Sequence, residues 1–175
     1  MSTSASPSAA LPIAYAALRL LIVLNWLMGA AILALLLVSP NERWIMSAFD
    51  LSPSPEAGRL VMGLRTIAVL GLVAIPVNYV VLKRLLAIVE TVRAGDPFVA
   101  ANADRLQAIA WSLLALQLLS IAIGTIGKAV SSAAYPVALD AGFSINGWLA
   151  VLLTFLLARV FAEGTLMRED VAGTV

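Results

Sequence analysis

Arg19 and Asn25, Arg65 and Asn78, Gln117, and Arg159 lie within stretches that are mainly apolar. None of these stretches contains an Asp or Glu, so a buried proton or cation relay has no carboxylate to run through. Asn and Gln each donate and accept. In hydrocarbon such groups seek one another, at about 0.5–1.5 kcal/mol per interhelical bond, or they line a polar ligand site. Counted at helical rise from one set of helix ends, Asn25 and Gln117 both lie roughly 16–18 Å deep. Arg19 and Asn78 both lie roughly 6–9 Å deep by the same count. The expected pairs are therefore Asn25 with Gln117 and Arg19 with Asn78, as structural bonds rather than a ligand site. Arg65 and Arg159 lie close enough to span ends to snorkel. Asp50, Glu56 and Asp140 are candidate counter-ions for Arg65, and Glu163, four residues on, for Arg159.

Catalysis is not expected. The chain has no cysteine and no histidine, which removes thiolate chemistry and the commonest general base and metal ligand. The remaining ionisable residues scatter singly, and no phosphate loop, metal cluster or serine motif is present. Glu163, Glu169 and Asp170 form an acidic cluster that reads as solvated. No cofactor is expected. A net charge of +1 points to neither direct nucleic-acid binding nor strong attraction to anionic lipid.

The elements that position these residues follow from composition. Hydrophobic residues make up 62% of the chain and charged residues 12%, about half the charged share of a soluble domain. The apolar residues fall in four blocks, at residues 13–38, 60–82, 106–126 and 145–161, each long enough to cross a bilayer as a helix, the last only just. The expected fold is all-α: an integral membrane antiparallel four-helix bundle over residues 13–164, in contact with the lipid bilayer. A disordered polar tail precedes it at residues 1–12, and a polar tail follows at 165–175. Gly29, Ala30, Ala31, Ala34, Gly63 and Gly71 allow close helix approach within the bundle. They leave the oligomeric state open.

The connections carry their own signals. Trp44, Ile45, Ala48 and Phe49, beside Asn41, Glu42 and Asp50, suit a short interfacial helix. Ser54 can cap the second helix, with Pro55 at its first position. Pro76 should kink that helix or loosen one backbone bond. An apolar period continues through Leu82, Leu85, Leu86, Val89 and Val92, so the second helix should leave the membrane as an amphipathic extension stopped by Gly95. Asp96-Pro97 should start the third helix as cap and first position. The result is a projecting helical hairpin with Phe98, Asn102 and Arg105 on its third-helix side. The favoured reading is that Asn102 ties the hairpin helices together through a backbone group and Arg105 meets phosphate headgroups. In the alternative, the three residues are candidates for docking a cytoplasmic partner.

Lys83, Arg84, Arg93 and Arg105 crowd the hairpin, and Arg19, Arg159 and Arg168 lie at the same side. Arg43, Arg59 and Lys128 lie at the other. The positive-inside rule then puts both termini and the hairpin in the cytoplasm, with the protein in the cell membrane.

Gly95-Asp96-Pro97-Phe98, with Asn102, Arg105-Leu106 and Ile109, resembles the central signature of the Domain of Unknown Function 2975 family. Phe161-Ala162-Glu163-Gly164, Leu166, Glu169-Asp170 and Thr174-Val175 resemble that family's C-terminal pattern. Val171-Ala172-Gly173 departs from it, standing where an acidic, leucine-containing run is common. The resemblance implies a small prokaryotic multi-pass membrane protein, often encoded beside a helix-turn-helix regulator. The leading functional expectation is a membrane partner or sensor acting on such a cytoplasmic transcriptional regulator. The alternative is a binder or carrier of a lipophilic small molecule, in the space around Asn25, Pro76, Asn78 and Gln117.

Overall fold

A computed structural model describes residues 10–38, 45–47 and 52–172, with side chains to residue 167. It contains four long helices: α1 (Ala10–Val38), α2 (Pro55–Arg93), α3 (Ala100–Val130) and α4 (Ile145–Ala172). No strand occurs among the described residues. All four are long and apolar enough to cross a membrane, α4 over Ile145–Met167.

The helix ends show which local signals act. Ser54 caps α2, its Oγ accepting from the Ala57 amide at 3.1 Å, with Pro55 at the first position. The same helix runs unbroken through Pro76 to Arg93. Gly95 stops it at φ +85°, a conformation in which a Cβ is strained. The amides of Gly95 and Asp96 then reach back to the carbonyls of Val92 and Thr91, both at 3.1 Å. This double bond pattern satisfies two of the last carbonyls of the helix. At the other end of the molecule Ser144 caps α4, its Oγ accepting from the Gly147 amide at 3.2 Å.

Three boundaries differ from expectation. First, α1 begins at Ala10, so the end of the expected 1–12 tail is helical; residues 1–9 lie outside the described residues. Second, α3 begins at Ala100 rather than at Asp96-Pro97, with extended Val99 as its cap. The reason is that the Asp96 amide is bonded back to α2, so the chain is still turning there. Third, α4 continues past Phe161 to Ala172, so most of the expected 165–175 tail is helix. No proline interrupts it, and the one glycine between Phe161 and Ala172, Gly164, costs a helix only about 1 kcal/mol. Of the expected interfacial helix, residues 45–47 are helical, while Trp44, Ala48 and Phe49 lie outside the described residues.

Among the described residues, helices touch only their chain neighbours: α1 packs on α2, α2 on α3, α3 on α4. Partner numbers fall along one helix as they rise along the other. Tyr15 meets Arg93, and Asn25 meets Asn78. Thr91 meets Asn102, and Trp111 meets Phe155. Much of the apolar surface faces outward. Leu20, Leu27, Leu152 and Leu156 are all more than half exposed.

Close approach between helices is set by glycine. A Cβ on Gly63 would run into Val130, and one on Gly124 would stand 2.5 Å from the Ala141 carbonyl oxygen. Gly29 faces Ile75 at 3.0 Å by the same construction.

Candidate functional site

Among the described residues, one polar cluster lies within the helices and another at the hairpin. The first sits at the α1–α2 contact. Asn78 Nδ2 donates to Asn25 Oδ1 at 2.8 Å, and Asn25 Nδ2 donates to the Ile75 carbonyl at 3.1 Å. Ile75 precedes Pro76, whose missing amide leaves the Leu72 carbonyl without its ladder donor, and the Asn25 bond falls on a neighbouring carbonyl of the same turn. The pair floors a groove of about 550 Å³ whose walls are Leu21, Leu24, Met28 and Leu116. Two amides among aliphatic side chains can hold one polar group of a mainly apolar molecule.

The second cluster is built around Asn102, which is 0% exposed. Its Nδ2 donates to Thr91 Oγ1 at 2.7 Å and to the Pro97 carbonyl at 2.8 Å. Its Oδ1 accepts from Arg105 Nη1 at 2.7 Å, and that nitrogen also reaches the Ala87 carbonyl at 3.3 Å. Thr91 in turn donates to the Ile88 carbonyl at 2.7 Å. One side chain thereby joins α2, the turn and α3. Beside it, Phe98 is 48% exposed and stacks on Phe161 of α4 with ring centroids 5.2 Å apart. Gly164 lies under the same ring, close enough that a Cβ there would touch Phe98 at 3.8 Å. The turn and the far part of α4, more than sixty residues apart in sequence, form one surface.

Several expected pairings are not formed. Asn25 meets Asn78, not Gln117, because α1 touches α2 alone. Equal depth on two helices does not bring side chains together when a third helix stands between them. Gln117 instead faces α4 against Gly147, and its Nε2 is buried with no partner among the described residues, as is Trp148 Nε1. Arg19 does not reach Asn78. It lies over the Tyr15 ring, 4.6 Å from the centroid. Arg159 pairs with Glu163 at 2.8 Å, as their spacing suggested. Asn102 is sealed inside the hairpin and Arg105 is half-buried and bonded, so of the three docking candidates only Phe98 presents much surface.

Sequence spacing alone does not mark Thr91 and Phe161 as site residues. The signal for Thr91 is a hydroxyl one turn before the Gly95 stop, opposite the start of the next helix. Among the described residues no group of His, Cys, Asp and Glu gathers to hold a metal ion. No protein-family model, no curated protein and no solved structure matches the chain.

Proposed function

We propose that the chain is a four-span membrane protein that acts on a cytoplasmic transcriptional regulator of helix-turn-helix type through its α2–α3 hairpin, without chemistry of its own. Lipid on the outward leucines of α1 and α4 accounts for their exposure in chains with so little interior. Successive helices antiparallel to one another, with the hairpin and both termini on the cytoplasmic side, agree with the falling order of contacts and with the crowding of Lys and Arg at the hairpin. The resemblance to the Domain of Unknown Function 2975 family supports the regulator as partner.

The observation that carries this reading is the preformed hairpin. Asn102 locks it from within, and Phe98 on Phe161 fastens it to α4. A surface held this way can present exposed groups such as Glu90 and Asp104 to a protein with little ordering cost. The test is co-purification, with the intact membrane protein and with a Glu90→Arg, Asp104→Arg variant, of a helix-turn-helix regulator of the kind often encoded beside members of the resembled family. The intact chain should retain the regulator and the variant should release it. Retention by neither, or equal retention by both, counts against the hairpin as a docking surface.

A second reading, a binder of a lipophilic small molecule, is favoured by one observation: the groove floored by Asn25 and Asn78. Gln117 belongs to the other side of the molecule and has no part in it.

A further inference from the structure

One side of the α1–α2 seam collects cations over aromatic rings. Tyr15, Arg19 and Trp26 follow one another at spacings of four and seven, which is a single face of α1. Across the seam Tyr79 packs on Trp26 with centroids 5.4 Å apart. Lys83, one turn past Tyr79, holds its Nζ 5.9 Å from that ring. Arg93 reaches across to Tyr15, its guanidinium carbon 4.8 Å from the ring centroid. Arg19 already lies over the same ring at 4.6 Å.

Two guanidinium groups therefore converge on one tyrosine, with an ammonium on the next. Arg19, Lys83 and Arg93 form no ion pair among the described residues, and Glu90, one turn before Arg93, pairs with none of them. The two guanidinium carbons each lie within 5 Å of the one ring centroid, so they stand less than 10 Å apart, about one Debye length at physiological salt, and repel. The rings offset part of that repulsion and hold the cations in place. An anion between them would offset the rest. A planar guanidinium pair matches phosphate oxygens in particular.

The level of the cluster says where the phosphate comes from. Lys83 is the first charge beyond the apolar stretch 60–82, and Trp26 and Tyr79 lie next to it on the apolar side. Aromatic rings followed by cations are the order found from hydrocarbon to headgroup. We propose that this face binds the phosphate of an anionic phospholipid from the adjoining leaflet, with an acyl chain along Trp26 and Tyr79. Net charge hides the site, because acidic residues elsewhere cancel it in the sum. It uses neither Glu90 nor Asp104, the groups that test regulator binding, although Arg93 stands one turn from Glu90, and it does not depend on that reading.

The experiment is native mass spectrometry of the full chain in detergent, titrated with dioleoylphosphatidylglycerol or dioleoylphosphatidylcholine. The anionic lipid should bind at least tenfold more tightly. Arg19→Gln with Arg93→Gln should weaken it by about tenfold or more, and Lys83→Gln alone by about fivefold, as expected for charges near a headgroup. Arg59→Gln with Lys128→Gln, at the opposite end, should leave it unchanged. Lys83 is exposed and makes no hydrogen bond among the described residues, so its variant reports binding even if the double arginine variant fails to fold. Equal binding of the two lipids, or indifference to Lys83→Gln, would overturn the proposal. So would displacement of the lipid by millimolar inorganic phosphate, which would make the face a site for free phosphate.

Discussion

Asn78 donates to Asn25 at 2.8 Å across the first helix pair, and Asn25 passes a second bond to the carbonyl ahead of Pro76. Pro76 leaves the Leu72 carbonyl without its ladder donor, and α1 supplies a polar side chain to the same turn, at the Ile75 carbonyl. α1 has no other helix to pack on among the described residues. This small network and the Gly29–Ile75 approach therefore fix its register on α2.

The pair should show in a double-mutant cycle. Asn25→Leu and Asn78→Leu each leave a polar group unpaired, so together they should cost less than the sum of their separate effects. The expected coupling is about 0.5–1.5 kcal/mol on unfolding in detergent. Asn25→Leu with Gln117→Leu should be additive, since those residues lie on helices that do not touch. Coupling in the second pair and none in the first would reverse the assignment.

Asn102→Ala should be the most damaging polar truncation in the hairpin. It strands the Pro97 carbonyl and deprives Arg105 of its nearest acceptor, at a cost of about 2–3 kcal/mol. Hydrogen exchange should quicken over residues 91–105 and stay unchanged in α1. Thr91→Val removes one partner only and should cost about 1 kcal/mol. An Asn102→Ala hairpin with unchanged exchange would show that the network does not hold it.

The glycines should separate by what their missing Cβ would meet. Gly124→Ala pushes against backbone, the Ala141 carbonyl and the Gly142 Cα, and should cost about 1–3 kcal/mol. Gly71→Ala meets only the tip of Ile32 at an ordinary 3.8 Å and should be neutral or slightly stabilising, since alanine is the better helix former. Thermal unfolding in detergent ranks the two. Equal effects would contradict the packing of α3 against the loop that precedes α4.

What was legible in the sequence was whatever depends on neighbours along the chain. The four apolar blocks, the Ser54-Pro55 start, the Gly95 stop and the Arg159–Glu163 spacing all act within a few residues, and each is in place. Asp96-Pro97 misled because a cap signature says nothing of whether the preceding helix has finished with those amides. The Asn25 partner misled for a different reason: depth is a one-dimensional coordinate, and the order of helices in space is not. The run of α4 beyond Phe161 was hidden by polarity, since Glu163, Glu169 and Asp170 read as a tail once hydropathy alone sets the boundary. Phe98 on Phe161 joins two short stretches that looked unrelated in space.

The hairpin acts on a cytoplasmic protein only if it lies on the cytoplasmic side and the α3–α4 loop lies on the other. The chain has no cysteine, so single cysteines can be placed without background. Ala94 is exposed at the hairpin turn and Asp140 is exposed in the α3–α4 loop, and neither needs a positive φ, as Gly95 does. In intact cells a membrane-impermeant maleimide should label Asp140→Cys and leave Ala94→Cys untouched until the membrane is opened. Labelling of Ala94→Cys from outside, or of both positions from one side, would contradict the proposed topology and remove the hairpin from reach of any cytoplasmic regulator.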